Sequence, residues 1–312
     1  MIARLHRTAP LLLVALLAAA TLWAVDTKAA PDRVDPEAYR KEVEAWRQER
    51  NDGLKKEDGW LTLVGLYWLK PGENRFGSDP GNPVILPQGK APGVAGSLRV
   101  EGETVTVHVE PGLAITADGQ KVKTGMALKT DADGKPTVLQ LGSLQFHVIK
   151  RGDRLGVRIK DRESPLRASF KGLDTYPIQP EWRVVARFEP YKDKTLPIAN
   201  IVGQVNDIPS PGAVVFDWQG QTYRLDALQG SPEGGLFLIF TDKTSGKETY
   251  GAGRYLDTDP PKDSKVVVDF NTAYNPPCAF TAFATCPLPP PQNKLPIAIP
   301  AGEKKFAGEP HS

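Results

Sequence analysis

The sequence is poor in the residues on which covalent and metal-assisted catalysis most often depends. Among 312 residues it has two cysteines and four histidines, and it has no G-x-S-x-G, H-E-x-x-H or C-x-x-C motif. His108 and His147 fall on predicted strands and His311 is next to last, so a Ser–His or Cys–His pair would have to bridge separate parts of the chain. We therefore predict no metal site and no cofactor.

Long hydrophobic runs are equally scarce. The longest, Leu11–Val25, is shorter than the ~20 residues that cross a bilayer as a helix. Basic residues precede it and small residues follow it, which is the order of a secretory signal peptide. We predict a signal peptide over residues 1–29 and a periplasmic or extracellular protein with no integral membrane span after processing. The alternative is an uncleaved N-terminal anchor, because Lys28 lies close to the cleavage point.

An excess of charge of one sign is absent as well. Residues 1–29 contain three basic residues and one acidic residue, so the 39 basic and 37 acidic residues of the whole chain become 36 and 36 without them. A neutral chain without basic runs lacks the electrostatic attraction that brings proteins to nucleic acid or anionic lipid. We predict no nucleic-acid partner.

The periodicity of the remaining chain is that of an all-β, mainly antiparallel protein with one N-terminal amphipathic helix. Asp35-Pro36 is a typical helix start, and apolar residues at helical spacing predict a helix over residues 36–55. Short β-branched and aromatic segments separated by turn residues follow. We predict one β-domain over residues 56–160 and a second, a sandwich or barrel, over residues 161–310. The second ends in a segment with nine prolines between Pro276 and Pro310.

The first β-domain resembles a known family of phosphopeptide readers. The segments LKPGENRFGS at 69–78, NPVILP at 82–87, ADG at 117–119 and LQLGSLQF at 139–146 resemble the turns and strands of a forkhead-associated (FHA) domain. This resemblance implies an FHA-like β-sandwich. At the four positions that hold phosphothreonine in that family, this chain has Ser78, Gly93, Gly96 and Asp118. No cation remains there to bind phosphate, so we predict no binding of phosphothreonine peptides.

Nearly all of the chain after residue 29 resembles a second family. Its segments YGAGRYL at 250–256, DFNTAYNPPCAF at 269–280, CPLPPPQNKL at 286–295 and AGEK at 301–304 resemble the signature of DUF1684, a family of bacterial proteins of unassigned function. The resemblance implies relatives and carries no activity with it.

Polar side chains are dense in these same segments and mark the best candidate for a site. Asp269 and Asn271 share one face of a predicted strand, and an aspartate there needs a cation, for which Arg254 is the nearest candidate. We expect these two side chains to be paired. The ligand-binding candidates are Tyr255, Asn271, Tyr274 and Asn293. In the alternative interpretation, these groups only satisfy the backbone of a proline-rich loop.

The two cysteines, Cys278 and Cys286, lie within the proline-rich segment. In an exported protein a disulfide is the first expectation. A buried pair of free thiols, or a reactive or metal-binding thiol, are the alternatives.

Two functions remain open from the sequence. The first is an exported ligand-binding or structural protein, whose ligand would be a polar small molecule. The second is a histidine-independent hydrolase or lyase in which Asp269 is the base and Arg254 and Asn275 stabilise charge. Whether these three residues converge on a pocket distinguishes the two.

Overall fold

The described part of the chain, residues 35–308 of a computed structural model, consists mainly of antiparallel strands that follow one long helix. The predicted signal peptide lies outside the described residues. Helix α1 is Pro36–Lys55, and its first turn is capped by Asp35, whose carboxylate accepts a hydrogen bond from the backbone N–H of Glu37 at 2.8 Å. The predicted helix is confirmed. In this part of the chain, no helix combines the length and apolarity that a membrane crossing requires.

Two sheets form a sandwich between residues 63 and 161. The first has the order β1-β11-β10-β9-β6-β7, and the second has the order β3-β2-β4-β5-β8, in which only β2 and β3 are parallel. Their strands are β1 Leu63–Trp68, β2 Gly72–Gly77, β3 Val84–Ile85, β4 Gly96–Glu101, β5 Thr104–Val109, β6 Thr116–Ala117, β7 Gln120–Lys121, β8 Met126–Leu128, β9 Leu139–Leu141, β10 Leu144–Arg151 and β11 Arg154–Asp161. Buried residues of both sheets, such as Phe76 and Phe146, share one apolar core.

A third, antiparallel sheet of six strands follows the short helix α2, Pro165–Ser169. Its order is β16-β15-β14-β13-β12-β17. The strands are β12 Arg183–Ala199, β13 Val205–Trp218, β14 Gln221–Gln229, β15 Leu236–Phe240, β16 Arg254–Thr258 and β17 Lys265–Asp269. Its two outer strands, β16 and β17, contact each other, and every strand contributes to one second core. The sheet is therefore strongly curved, and the all-β, mainly antiparallel class predicted from the sequence is confirmed.

The proline-rich segment lies over the third sheet. It forms 3₁₀ turns at Pro277–Ala279 and Pro291–Asn293, and it contributes Leu295, Ile299 and Ala301 to the second core. Cys278 and Cys286 are bonded as a disulfide, with their Cα atoms 6.2 Å apart. Of the three alternatives for the cysteines, the structure therefore shows the first. The FHA-like character of the sandwich and a domain boundary near residue 160 stay predictions.

Candidate functional site

The candidate site begins at the edge of the third sheet. In the antiparallel pair of β15 and β16, Leu238 is opposite Leu256 and both are buried in the second core. Because side chains alternate along a strand, Phe237, Tyr255 and Asp257 project from the other face. Phe237 is directly opposite Asp257, so a ring and a carboxylate are neighbours there.

The loop after β17 adds a second tyrosine to this face. The backbones of Tyr255 and Tyr274 exchange two N–H···O hydrogen bonds of 2.8 Å, so Tyr274 extends the sheet beyond its edge strand. The Tyr255 ring makes edge-to-face contacts with Phe237 and Tyr274, at centroid distances of 4.9 and 5.8 Å. The Tyr274 hydroxyl donates a 2.7 Å hydrogen bond to the Asp257 carboxylate. The result is a row of rings that ends at a negative charge.

Helix α1 and the turn after it form the opposite wall. Trp46, Glu49 and Arg50 are spaced three and four residues apart and therefore lie on one face of the helix. The Trp46 ring is 6.3 Å from that of Tyr274, and Trp60, in the 3₁₀ turn Trp60–Thr62, completes the wall. Together the two walls enclose an open cleft of about 440 Å³. It is lined by Trp46, Glu49, Arg50, Trp60, Phe237, Tyr255, Asp257, Tyr274 and Pro277.

Arg50, the arginine among the described lining residues, is already paired. Arg50 Nε lies 3.0 Å from Glu303 Oε1, and Arg50 Nη2 donates a 2.8 Å hydrogen bond to the Asn275 carbonyl. The Arg50 guanidinium also lies over the Tyr274 ring, 4.8 Å from its centroid. Glu303 is buried, which raises the pKa of its carboxyl, while Arg50 acts in the opposite direction and favours the carboxylate.

The two tyrosines of the cleft are neutral hydrogen-bonding groups. Burial raises the pKa of Tyr255 above its ordinary value, and burial together with the negative charge of Asp257 raises the pKa of Tyr274. Neither hydroxyl therefore ionises near neutral pH. The Tyr255 hydroxyl donates a 2.8 Å hydrogen bond to the Pro287 carbonyl, so this tyrosine also anchors the proline-rich segment.

The predicted ion pair of Arg254 and Asp269 is wrong. Arg254 points to the core face of β16, is fully buried, and its Nη2 lies 2.7 Å from the Asp242 carboxylate. Asp269 lies on the opposite face of the curved sheet, since it alternates with the core residues Val266 and Val268. There it accepts hydrogen bonds of 2.7 Å from the Tyr39 hydroxyl and 2.9 Å from the Asn271 backbone N–H. A tyrosine of helix α1 thus replaces the expected cation.

The three asparagine candidates are buried among backbone groups. The Asn271 side chain both accepts from and donates to the backbone of Gln179, and that of Asn293 does the same with the backbone of Asp226. Asn275 donates a 2.8 Å hydrogen bond to the Lys304 carbonyl, and its Oδ1 has no partner among the described groups. Within residues 35–308, no hydrogen bond or ion pair joins any two of Asp269, Arg254 and Asn275, and none of the three lines the cleft.

Only two of the predicted site residues, Tyr255 and Tyr274, come together in the cleft. The sequence reasoning did not single out the six other aromatic or charged lining residues: Trp46, Glu49, Arg50, Trp60, Phe237 and Asp257. One feature of the sequence could have indicated Trp46: it is a large apolar residue in a highly charged helix. In the structure this side chain is half-buried. Within residues 35–308, no three His, Cys, Asp or Glu side chains are grouped as metal ligands would be.

Comparisons with known proteins name a family for the chain. The profile described as "Protein of unknown function (DUF1684)" matches residues 168–304. A solution NMR structure of an uncharacterized protein from Haloarcula marismortui is 31% identical, with 44% of this chain and 78% of that chain covered and a TM-score of 0.38. A crystal structure of Rad53 1–466 in complex with AMP-PNP is 10% identical, with 65% and 48% covered and a TM-score of 0.17. Both TM-scores are too low to support an argument about the fold, and the comparison with curated proteins gives no match. The chain belongs to the DUF1684 family.

Proposed function

We propose that the protein binds a small organic molecule in the aromatic cleft between helix α1 and the edge of the third sheet. The observation that supports this proposal is the convergence of five aromatic side chains from separate parts of the chain on one open cleft of about 440 Å³. Small-molecule sites are typically concave and mostly apolar, with a few polar groups that orient the ligand. Here Glu49, Asp257 and the Tyr274 hydroxyl are such groups.

The catalytic alternative has less support. Its three residues, Asp269, Arg254 and Asn275, make separate hydrogen-bond networks, and none of their side chains lines the cleft. Each network ties one chain segment to another. Groups that act on one substrate must lie within hydrogen-bond reach of the same reacting atoms. We therefore favour binding without covalent chemistry.

A thermal-shift screen of a metabolite library tests the proposal. A ligand present at about 100 times its Kd stabilises the folded state by about 2.7 kcal/mol, which corresponds to a rise in Tm of about 5–10 °C. We expect hits with the wild-type protein that disappear with Trp46→Ala. The matched control is Trp68→Ala, because Trp68 is also half-buried but packs against Arg154 outside the cleft. Hits that survive Trp46→Ala, or a broad library without any hit, would contradict binding in the cleft.

We also propose that the protein works outside the cytoplasm. The signal-like order of residues 1–29 supports this, and so does the Cys278–Cys286 disulfide, since such bonds persist in oxidising compartments. Mass spectrometry of the protein recovered from the periplasm or medium should give a chain that begins near Ala30 or Pro31. An intact Met1 terminus would instead indicate an uncleaved anchor.

A further inference from the structure

We infer that the ligand of the cleft is an organic cation, of the substituted or quaternary ammonium class; this inference rests on the function proposed above and names the chemical class of its ligand. The charge of the cleft is the first argument. The lining includes one cation, Arg50, and two anions, Glu49 and Asp257. Because Arg50 is paired with the buried carboxyl of Glu303, its charge is already neutralised by the protein itself. The carboxylates of Glu49 and Asp257 remain without a counter-charge.

Neither of these two carboxylates has a cationic partner within residues 35–308. Among the residues that the structure describes, no lysine, arginine or histidine nitrogen lies within 4.0 Å of the Glu49 or Asp257 carboxylate oxygens. Among the described groups, Asp257 accepts one hydrogen bond, from the Tyr274 hydroxyl to Oδ2, which orients the carboxylate and leaves Oδ1 without a donor from those groups. An anionic ligand would meet two negative charges in this cleft, whereas a cationic ligand would neutralise them.

The aromatic walls are the second, independent argument. A cation is attracted to the face of an aromatic ring within about 6 Å of the ring centroid, and tryptophan gives the strongest attraction. Trp46, Trp60 and Phe237 are half-buried and line the cleft. The Arg50 guanidinium lies over the Tyr274 ring, so one cation of the protein already makes this kind of contact with a ring of the cleft.

Basic side chains near the cleft do not reverse this preference. Arg158 and Lys160 of β11 lie against the Trp60 ring, 5.5 and 5.9 Å from its centroid, but neither lines the cleft. Lys160 donates to the Asp58 carbonyl, and burial lowers the pKa of both side chains, that of Arg158 to about 10. Glu49 and Asp257, by contrast, are lining residues of the cleft. An alkylammonium group, which combines an apolar surface with positive charge, matches both the rings and the carboxylates.

A pair of isosteric probes separates charge from shape. Choline and 3,3-dimethylbutan-1-ol have nearly the same shape, but only choline is charged. We expect choline to quench or shift the tryptophan fluorescence of the mature protein and to bind at least about tenfold more tightly than the neutral alcohol. Asp257→Asn, which keeps an acceptor for the Tyr274 hydroxyl, should weaken choline about tenfold, and Glu49→Gln should weaken it in the same direction. Glu42→Gln, an exposed acid on the same helix that does not line the cleft, should leave affinity unchanged.

The outcomes distinguish this inference from the proposed function. If the neutral alcohol binds as tightly as choline, or if Asp257→Asn leaves choline affinity unchanged, the cationic class is wrong while an aromatic binding cleft stands. If choline, tetramethylammonium and tetraethylammonium all fail to bind at roughly 10 mM, the cationic class is also wrong. In that case Trp46-dependent hits from the metabolite library would still support the cleft. If no compound of either kind binds in a Trp46-dependent manner, both proposals fail.

Discussion

The buried ion pair between Arg254 and Asp242 allows a test of how much one buried charge contributes to stability. Both side chains are at most 1% exposed. Asp242 accepts hydrogen bonds from Arg254 Nη2 at 2.7 Å, from the Thr244 backbone N–H at 2.8 Å and from the Ile299 backbone N–H at 3.2 Å. The guanidinium also donates to the carbonyls of Ile299 and Ala301. The pair thus connects the loop after β15, strand β16 and the proline-rich segment.

Removing the negative charge should leave an uncompensated buried cation. Asp242→Asn is nearly isosteric, so it keeps the packing, but it removes the charge and replaces one of two accepting oxygens by an amide nitrogen that cannot accept. At an effective dielectric of about 20, two charges at contact distance attract by about 4 kcal/mol, and breaking a buried pair by removing one partner costs about 3–5 kcal/mol. Burial already lowers the pKa of Arg254, which indicates that the cation depends on Asp242 for compensation. We expect the free energy of unfolding to fall by about 3–5 kcal/mol and the Tm by at least ~6 °C.

Urea unfolding followed by circular dichroism measures this change. The matched control is Asp269→Asn, because among the described groups this partly buried aspartate accepts only from neutral donors: the Tyr39 hydroxyl and the Asn271 amide and backbone N–H. Asp269→Asn should lower the free energy of unfolding by about 1 kcal/mol. The double variant Asp242→Asn/Arg254→Met should be less destabilised than the sum of the two single variants by more than ~1 kcal/mol. A cost below ~1 kcal/mol for Asp242→Asn, or a larger cost for Asp269→Asn, would refute the reasoning.

Two further predictions concern the disulfide and His147. Replacing Cys278 and Cys286 together by serine should lower the free energy of unfolding by ~2–3 kcal/mol, since the bond closes a short loop in the unfolded chain, and an unchanged urea midpoint would contradict this. Burial, together with Arg158 and Lys160, lowers the pKa of His147 to about 4, so the unfolded chain binds a proton between pH 6.5 and 4 that the folded chain does not. Stability should therefore fall by up to ~3 kcal/mol as the pH drops through that range, and His147→Gln should remove this part of the pH dependence; parallel curves for the two proteins would refute it.

Much of the local structure could be predicted from the sequence alone. The N-cap Asp35 and the proline after it define the start of α1, because the first backbone N–H groups of a helix have no acceptor within the helix and the Asp35 carboxylate supplies one. In β5, Val105 and Val107 alternate with Thr104, Thr106 and His108, and the two valines are buried, because successive side chains of a strand project to opposite sides. The cysteines are eight positions apart, so their pairing is also a nearly local property.

The partners of the polar side chains could not be predicted in the same way. The sequence predicts an Arg254–Asp269 pair because the two residues are close in sequence. In the structure they project from opposite faces of the third sheet. The outer strands of that sheet, β16 and β17, contact each other because the sheet is curved. Asp242 precedes β16 in a loop that carried no strong pattern, and Tyr39 is 230 positions from Asp269. The sequence indicates that a buried charge needs a partner, but many partners are chemically equivalent.

The cleft is likewise a property of the tertiary structure. Its lining residues extend from Trp46 to Pro277, and none of the elements that carry them encloses a cavity by itself. The sequence by itself determined the β class, the single helix, the cysteine pair and the two tyrosines as candidates, because each depends on periodicity or on neighbouring residues. The tertiary structure decided which rings face one another and which carboxylates remain unpaired, because long-range packing of helix α1 and the proline-rich segment against the sheet edge brings them together.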